Sequence, residues 1–422
     1  MSGSGEHQPH RRRWPWVVAG LAGIAVVSVP AYAGEEQDES LAALEATSVD
    51  ASTLPQTLPF RFVAGHLLMD ALPEGSTEPI DFILDSGAPT TYSDRTADAH
   101  GGEAVGQVRE QAIDGSVLDV PVISIETLAI GDAVFKDVAG SQNWVAPDNP
   151  LSCLSDNGLI GANLMKNAVW QIDYANEEVT IASSAEGLDH IDDAIALEFT
   201  FTSIASPSPL VRFGAGDGEL VFLLDTGSDG GLSVNPADLE AIGMTVDPDG
   251  PAADVLGAGI AGTFETALTY AGVDLDIGGT AAEAYPVATL PTLAEGQGNI
   301  GNGFLDDFVV TIDWPNETLY LDPVTGDGSI PTPAVPAQAT LSWDGEDIVV
   351  GSLARESAVA QAGLALGSVV ENVDGVDYGE ASRDDFCALF TGETPARFAV
   401  TTADGESYEV GPADGFYDSL DR

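Results

Sequence analysis

The sequence predicts a mainly β protein, and three observations carry this prediction. Glycine accounts for 47 of the 422 residues, above the usual share of about 7% and typical of turn-rich β structure. Short apolar runs with a two-residue alternation are separated by clusters of glycine and proline. Several motifs recur at one fixed spacing, which predicts two related units within the chain. The length favours two or three domains.

The individual strands of the two units follow from the apolar runs. Only two short helices are expected there, at residues 164–167 and 236–242, each close to a turn motif. Strands are predicted at residues 60–62, 80–84 and 117–125 of the first unit, and at residues 199–201, 220–224, 263–270 and 309–312 of the second.

The charge balance limits the partners that the protein can have. The chain carries 13 Lys and Arg against 68 Asp and Glu, a formal net charge of −55. Such a chain repels phosphate backbones and anionic lipid surfaces, so we expect no nucleic-acid partner. Hydrophobic residues make up 44% of the sequence, which excludes disorder of the whole chain.

Residues 1–33 have the pattern of a secretory signal peptide. Three arginines at 11–13 precede the apolar stretch 14–29, and Ala31-Tyr32-Ala33 supplies the small residues of a cleavage site. We therefore expect export, to the periplasm or out of the cell. The alternative is an uncleaved anchor at residues 14–33, a stretch just long enough to cross a bilayer.

Composition shifts divide the rest of the chain into further segments. Residues 34–56 are polar and acidic, which predicts a flexible leader, and three prolines mark a linker further on. The expected boundaries are 57–190 for the first unit, 191–325 for the second, 326–337 for the linker, 338–412 for a third unit and 413–422 for a tail.

An internal repeat is the most informative feature of the sequence. Asp85-Ser86-Gly87-Ala88 recurs as Asp225-Thr226-Gly227-Ser228, an offset of 140 residues. Leu159-Ile160-Gly161 recurs as Asn299-Ile300-Gly301, and Ile172-Asp173 recurs as Ile312-Asp313, at the same offset. One spacing kept by three motifs indicates two homologous units.

The repeated Asp-(Ser/Thr)-Gly turns suggest a specific chemistry. Each turn follows an apolar strand, and its glycine allows the backbone to approach closely. A pseudo-twofold axis between the units would bring Asp85 and Asp225 together. Two carboxyl groups a few Å apart cannot both ionise easily, so they share a proton. The ionised group can then activate water while the protonated group polarises a carbonyl.

These motifs resemble those of the retropepsin/pepsin-like aspartic peptidases, in a form with two retropepsin-like units fused in one chain. The resemblance covers about residues 57–325 and implies a two-lobed β-barrel architecture with pseudo-twofold symmetry. It implies that Asp85 and Asp225 are the catalytic dyad, supported by Gly87 and Gly227. It also implies that Ser86 and Thr226 lock the two turns together. Asn299, where the family has an apolar residue, departs from the pattern.

The same family closes β-hairpin flaps over an extended substrate. The candidate flap residues are Ile113, Asp114 and Gly115 in the first unit, and Gly257, Ala258 and Gly259 in the second. Neither segment contains the flap tyrosine of pepsin, so substrate closure must differ from that of pepsin. The second segment also matches the GxGxxG dinucleotide pattern, but a strand rather than a helix is expected to follow it, which argues against a nucleotide cofactor.

No cofactor or metal is expected. The sequence has no HExxH motif, no CxxC motif and no histidine spacing suited to zinc. Cys153 and Cys387 lie 234 positions apart, in different predicted units. Export permits a disulfide between them, but their placement in separate units favours two unpaired thiols.

The third unit begins with an apolar strand at 348–350, followed by a short helix at 357–362 that ends at Gly363. A Leu-Gly turn and an Asp-Gly turn come next. This order resembles a small α+β PDZ domain over about residues 338–412, and the resemblance implies a peptide ligand bound as an added strand. The alternative is an unrelated small β domain.

Together these features predict an exported aspartic endopeptidase that hydrolyses extended polypeptide segments by means of a shared-proton pair. The alternative is a non-catalytic envelope protein in which the cleft and the PDZ-like unit bind peptides. A binding role places no demand on paired carboxyl groups, so the two intact Asp-(Ser/Thr)-Gly turns argue against this alternative.

Overall fold

A computed structural model shows a mainly β protein built from three sheets. The structure describes residues 27–28, 35–102, 104–111, 117–146, 149–203, 207–259, 262–392 and 395–420. Most of the predicted signal segment 1–33 therefore lies outside the described residues. Among the residues that the structure describes, no helix is both long and apolar enough to span a bilayer.

Strands dominate both units of the repeat, as the sequence predicts. We call residues 57–190 the first repeat and residues 191–325 the second repeat. The first repeat and the segment before it contain β1 (Val27–Ser28), β2 (Ser48–Val49), β3 (Gln56–Pro59), β4 (Arg61–Val63), β5 (His66–Pro73), β6 (Ile80–Asp85), β7 (Thr91–Tyr92), β8 (Gly106–Gln111), β9 (Val117–Ile130), β10 (Ala133–Gln142), β11 (Gly158–Gly161), β12 (Val169–Asp173) and β13 (Glu178–Ala182). The second repeat contains β14 (Ile195–Phe201), β15 (Pro209–Ala215), β16 (Gly218–Leu224), β17 (Leu232–Val234), β18 (Ala252–Gly259), β19 (Gly262–Ile277), β20 (Thr280–Thr289), β21 (Gly298–Ile300), β22 (Phe308–Asp313) and β23 (Thr318–Pro323).

The helices are short, and four of those in the described residues were not anticipated: the ones at residues 35–46, 94–100, 302–305 and 383–390. The two helices expected near the turn motifs are present, one of them two residues earlier than predicted. The segments 94–100 and 383–390 are also helical, each capped by a serine side chain that accepts a backbone N–H. The helices are α1 (Glu35–Ala46), α2 (Asp94–His100), α3 (Ala162–Met165), α4 (Pro236–Ala241), α5 (Asn302–Leu305), α6 (Ala358–Gln361) and α7 (Arg383–Phe390).

The two repeats have the same strand order. The first runs β8-β9-β10-β7-β11-β6-β5-β4, and the second runs β18-β19-β20-β17-β21-β16-β15-β14. In each, the strand that leads to the Asp-(Ser/Thr)-Gly turn pairs in parallel with the strand that carries the Ile-Gly motif. The sequence repeat is therefore also a repeat of topology.

Strands β12 and β22 join the two repeats in an antiparallel pair. Gln171 lies directly opposite Thr311, 140 residues away, and its side chain donates to the Thr311 hydroxyl at 2.9 Å. On either side, Val169 pairs with Asp313 and Asp173 with Val309. This reciprocal pairing is what a local twofold axis produces. The apolar cores of the two repeats form one continuous cluster across this junction.

The prediction of a flexible leader at residues 34–56 is wrong. Helix α1 and strand β2 occupy this segment, and β2 pairs with β10. Leu44 is buried in an apolar cluster with Val108, Val120 and Val122. A few apolar side chains, spaced among acidic residues, are enough to anchor the helix to the first repeat.

The C-terminal unit, residues 338–412, does not stand apart from the repeats. Strands β24 (Ala339–Trp343) and β25 (Ile348–Ala354) extend the sheet of the second repeat, because β25 pairs with β18. Strands β26 (Val370–Val373), β27 (Val376–Asp377), β28 (Phe398–Thr402) and β29 (Ser407–Val410) form a separate sheet. The tail also packs against the second repeat, where Phe416 lies edge-on to Tyr270.

The expectation of two unpaired cysteines is wrong as well. Cys153 and Cys387 form a disulfide, with their Cα atoms 5.0 Å apart. Cys153 ends the 3₁₀ turn Pro150–Cys153 of the first repeat, and Cys387 lies in α7. The distance of 234 residues along the chain is closed because the C-terminal unit packs against the first repeat, sharing one apolar cluster with Leu151 and Leu154.

Candidate active site

The two repeated turns exchange hydrogen bonds. The amide of Ser86 donates to the Thr226 hydroxyl at 2.9 Å, and the amide of Thr226 donates to the Ser86 hydroxyl at 3.1 Å. Each hydroxyl then donates to a carbonyl at the end of the opposite strand, Ser86 to Leu224 at 2.7 Å and Thr226 to Leu84 at 2.9 Å. Four buried hydrogen bonds thus hold the turns in one fixed arrangement.

The glycine of each turn lies against the carboxyl group of the other turn. A Cβ atom on Gly87 would stand 2.6 Å from Cγ of Asp225, and a Cβ atom on Gly227 would collide with the carboxyl group of Asp85. Only glycine leaves room for this approach. Both aspartates are completely buried, so the structure brings Asp85 and Asp225 together at the junction of the two turns.

The local backbone supplies hydrogen bonds to each carboxyl group. Asp85 Oδ1 accepts the N–H of Gly87 at 2.7 Å, and Asp225 Oδ1 accepts the N–H of Gly227 at 3.0 Å. Asp85 Oδ2 is buried and has no hydrogen-bond donor among the N–H and O–H groups of the described residues.

Burial dominates the electrostatics of this pair. Desolvation raises the pKa of Asp85 well above its ordinary value, and the charge of Asp225 raises it further. Desolvation also raises the pKa of Asp225, to about 6, against the lowering effect of a hydrogen bond from Asn299. With the pKa values in this order, the pair holds a single proton above about pH 6, on Asp85, while Asp225 carries the charge.

Asn299 is the site residue whose position the sequence did not reveal. Its departure from the apolar pattern indicated only a difference in the second repeat. The structure shows that Asn299 Nδ2 donates to Asp225 Oδ2 at 3.0 Å, with the side chain buried. A polar residue in a motif whose equivalent in the first repeat is apolar was the available signal.

The first candidate flap lies outside the described residues. Ile113, Asp114 and Gly115 cannot be located for this reason. The strands on either side, β8 and β9, form an antiparallel hairpin in which Gln111 pairs with Val117. The hairpin expected at this point of the first repeat is therefore present up to its tip.

The second candidate flap is also a hairpin, formed by β18 and β19, and Gly259 pairs with Gly262 at its end. Gly257, Ala258 and Gly259 lie within β18, and Ala258 is buried in the apolar cluster shared with the C-terminal unit. The Gly259 carbonyl accepts the Asn149 side-chain amide at 2.9 Å. This hairpin therefore touches the first repeat as well as the C-terminal unit. A strand follows the glycines, as expected, which contradicts a dinucleotide site.

A pocket of about 150 Å³ borders the chain just after the second turn. Gly230, Gly231 and Tyr285 of the second repeat line one side. Pro333 of the linker and Tyr417 of the tail line the other. The segments that follow the repeats thus contribute a wall beside the turn of Asp225.

The described residues contain no group of three His, Cys, Asp or Glu side chains that could hold a metal ion. The groups that the structure places at the two turns are two carboxyl groups, the Asn299 amide, two hydroxyl groups and backbone N–H groups.

No model of a known protein family matches this chain, and no curated protein matches it.

Proposed function

We propose that this protein is an aspartic endopeptidase with two retropepsin-like lobes, and that Asp85 and Asp225 form its catalytic dyad. The observation that carries the proposal is the meeting of two buried carboxyl groups at reciprocally hydrogen-bonded turns. A purely structural role places no demand on such a pair, because burying two unpaired carboxyl groups is costly. Supporting evidence comes from the shared strand order of the repeats.

In the proposed mechanism, the pair acts on a water molecule held between the carboxyl groups. Ionised Asp225 takes a proton from the water, whose oxygen forms a bond to the carbonyl carbon of the peptide. Protonated Asp85 gives its proton to the carbonyl oxygen, which yields a neutral tetrahedral diol. Asp225 then passes its proton to the amide nitrogen as the carbon–nitrogen bond breaks, and the proton of one diol hydroxyl returns to Asp85.

The substrate of this reaction would be an extended polypeptide segment that lies between the hairpins β8–β9 and β18–β19. Both aspartates are completely buried, so a peptide can reach them only if the structure around the turns opens. Such opening motions are common in enzymes that exclude water from a closed site.

The decisive experiment measures cleavage of an unfolded protein by the purified chain between about pH 3 and pH 7. We expect cleavage by the natural sequence and no cleavage by Asp85→Asn or by Asp225→Asn. The control is Asp70→Asn, an exposed carboxylate on β5, which should cut as well as the natural sequence. Full activity in either dyad variant would reject the proposal.

A second candidate function is peptide binding without catalysis. It is favoured by one observation, that β18 of the second hairpin is paired with β25 of the C-terminal unit, which restrains its opening. A statine-type mimic of the tetrahedral intermediate separates the two functions, because an enzyme binds such a mimic more tightly than the plain peptide. Equal affinity for the mimic and the peptide would favour the binding protein.

We also propose that the protein is exported and that its C-terminal unit is PDZ-like. The signal-like segment 1–33 supports export, and so does the disulfide Cys153–Cys387, because disulfides persist in oxidising compartments. The order β25, α6 and β26 supports the PDZ-like assignment, with Gly363 at φ 108° after the helix. A PDZ-like unit would take a peptide as an added strand, and binding of C-terminal peptides to the full chain tests this role.

A further inference from the structure

The two repeats place different residues at one equivalent position beside the dyad. Leu159 lies opposite Ile83 in the parallel pair β11–β6, and Asn299 lies opposite Leu223 in the parallel pair β21–β16. Both residues stand two positions before the glycine of the Ile-Gly motif. The registers are the same, so the only change at this position is an amide in place of an isobutyl side chain.

The amide of Asn299 is directed at one carboxyl group. Nδ2 donates to Asp225 Oδ2 at 3.0 Å, while Oδ1 is buried and has no hydrogen-bond partner among the described residues. A buried amide that leaves its oxygen unsatisfied incurs a cost. This cost is explained if the hydrogen bond from Asn299 stabilises the charge on the Asp225 carboxyl group.

The equivalent contact is missing at Asp85, because the side chain of Leu159 has no donor. Leu159 instead packs in the apolar cluster with Leu68 and Ile83. Asp225 therefore has one more hydrogen-bond donor than Asp85. A donor that points at a carboxyl oxygen stabilises its ionised form, since an ionised carboxylate only accepts hydrogen bonds.

We infer that Asn299 is a positioning residue that holds the negative charge of the pair on Asp225 and leaves the shared proton on Asp85. This inference rests on the proposed function and assigns the two roles within the pair. Asp225 is the general base, and Asp85 is the general acid. The titratable group that faces Asp225 is Asp85 on the opposite turn. The other buried carboxyl group of the second turn is Asp229, four residues further along the chain.

The direction of the pKa shifts agrees with this assignment. After desolvation, the hydrogen bond from Asn299 has the largest effect on Asp225 and lowers its pKa. The proton shared between the carboxyl groups lowers the pKa of Asp225 and raises that of Asp85. Both effects favour the same distribution of charge.

The test replaces Asn299 and follows the carboxyl groups directly. Carbon-13 NMR of aspartate-labelled full-length protein reports each carboxyl pKa, and the spectra of Asp85→Asn and Asp225→Asn assign the two resonances. In Asn299→Leu, which copies Leu159, we expect the pKa of Asp225 to rise by about one unit, the effect of losing one hydrogen bond to a charged group. The low-pH limb of kcat/KM should move upward by the same amount.

A second variant guards against loss of folding. Asn299→Asp keeps the shape of the side chain but replaces the donor by a carboxylate above its own pKa, so the pKa of Asp225 should rise further than in Asn299→Leu. The matched control is Asn235→Leu, which removes an amide that caps α4 in the same repeat. This control should lower stability without moving the pKa of Asp225.

The outcomes separate this inference from the proposed function. An unchanged or lowered Asp225 pKa in both Asn299 variants overturns the inference, even if the protein cuts peptides. A raised pKa in a protein that cuts nothing supports the role of Asn299 in charge placement and rejects the proposed function.

Discussion

The first repeat and the second repeat build the same strand order around their aspartate turns, but they differ in what surrounds those turns. Asp225 receives a hydrogen bond from Asn299, whereas the equivalent residue in the first repeat is Leu159. The hairpin of the second repeat is paired with the C-terminal unit, whereas the edge strand β8 of the first hairpin pairs only with β9 and the short β1 among the described residues.

The two repeats therefore share one topology but surround their aspartate turns asymmetrically. The hydrogen bonds between the turns are reciprocal and involve residues 140 positions apart, so they preserve the symmetry. The asymmetry comes from one buried side chain and from one attached unit. Neither changes the strand order of either repeat.

Loss of the disulfide that attaches the C-terminal unit should change the free energy of unfolding more than any other change considered below. The disulfide links this unit to the first repeat, and strand pairing links it to the second. Replacing Cys153 and Cys387 by serine should lower the free energy of unfolding by about 4 kcal/mol, because the bond closes a long loop. Denaturant unfolding measures this loss.

Hydrogen exchange shows whether the two attachments are separate. In the serine variant, protection should fall in α7 and in the turn Pro150–Cys153, while β18 and β25 keep theirs. Added reductant should destabilise the natural protein and leave the serine variant unchanged. Equal loss of protection at both attachments would show that the two repeats do not hold the C-terminal unit independently.

The edge strand of each hairpin carries an acidic residue, and the two residues differ in burial and in pairing. Glu110 of β8 is buried, and desolvation raises its pKa to about 7, while Asp254 of β18 is paired with Arg355. Because the folded-state pKa of Glu110 is raised, its protonated form stabilises the fold below about pH 4.5, and that stability is lost as the pH rises through 7.

Glu110→Gln should therefore be more stable than the natural protein at pH 8, by ~3 kcal/mol, with no advantage at pH 4. Urea unfolding at the two pH values measures the difference. The control is Glu126→Gln, an exposed residue of the neighbouring strand β9, which should change neither value. A constant difference across the pH range would show that Glu110 does not titrate between them.

Each glycine lies against the carboxyl group of the opposite turn. We therefore expect the same loss of activity when either glycine is replaced. Gly87→Ala and Gly227→Ala should each lower kcat/KM by about a hundredfold, because the added Cβ displaces the opposite carboxyl group. Peptide cleavage at the optimal pH measures the loss. Gly102→Ala, where the nearest atom to the added Cβ would be 3.6 Å away, is the control. A much larger loss in only one of the two variants would show that the turns are not equivalent.

The smallest effect is expected at the ion pair between Arg355 and Asp254, 2.7 Å apart and partly exposed. Arg355→Gln should lower the free energy of unfolding by at most about 1 kcal/mol. Hydrogen exchange should increase at the junction of β18 and β25. Arg109→Gln, which breaks the pair with Asp119 inside the first hairpin, should leave that junction unchanged.

Much of the fold could be predicted from local sequence patterns. The strands at 80–84 and 220–224 are present as short apolar runs whose consecutive side chains are buried, and the strand at 263–270 begins with an alternation of exposed and partly buried residues. Helix α7 was missed, although Ser382 and Asp385 form a capping box at its start. The leader was misjudged because its acidic composition hides the few apolar residues that anchor it.

The β class, the repeat of 140 residues and the two Asp-(Ser/Thr)-Gly turns could all be recognised in the sequence, because each is recorded in neighbouring residues or in a fixed spacing. Three contacts became visible only in the folded protein: Cys153 with Cys387, Asn299 with Asp225, and β25 with β18. Contacts of this kind join residues 74 to 234 positions apart. Such contacts depend on how whole strands pack, and local periodicity carries no information about that packing.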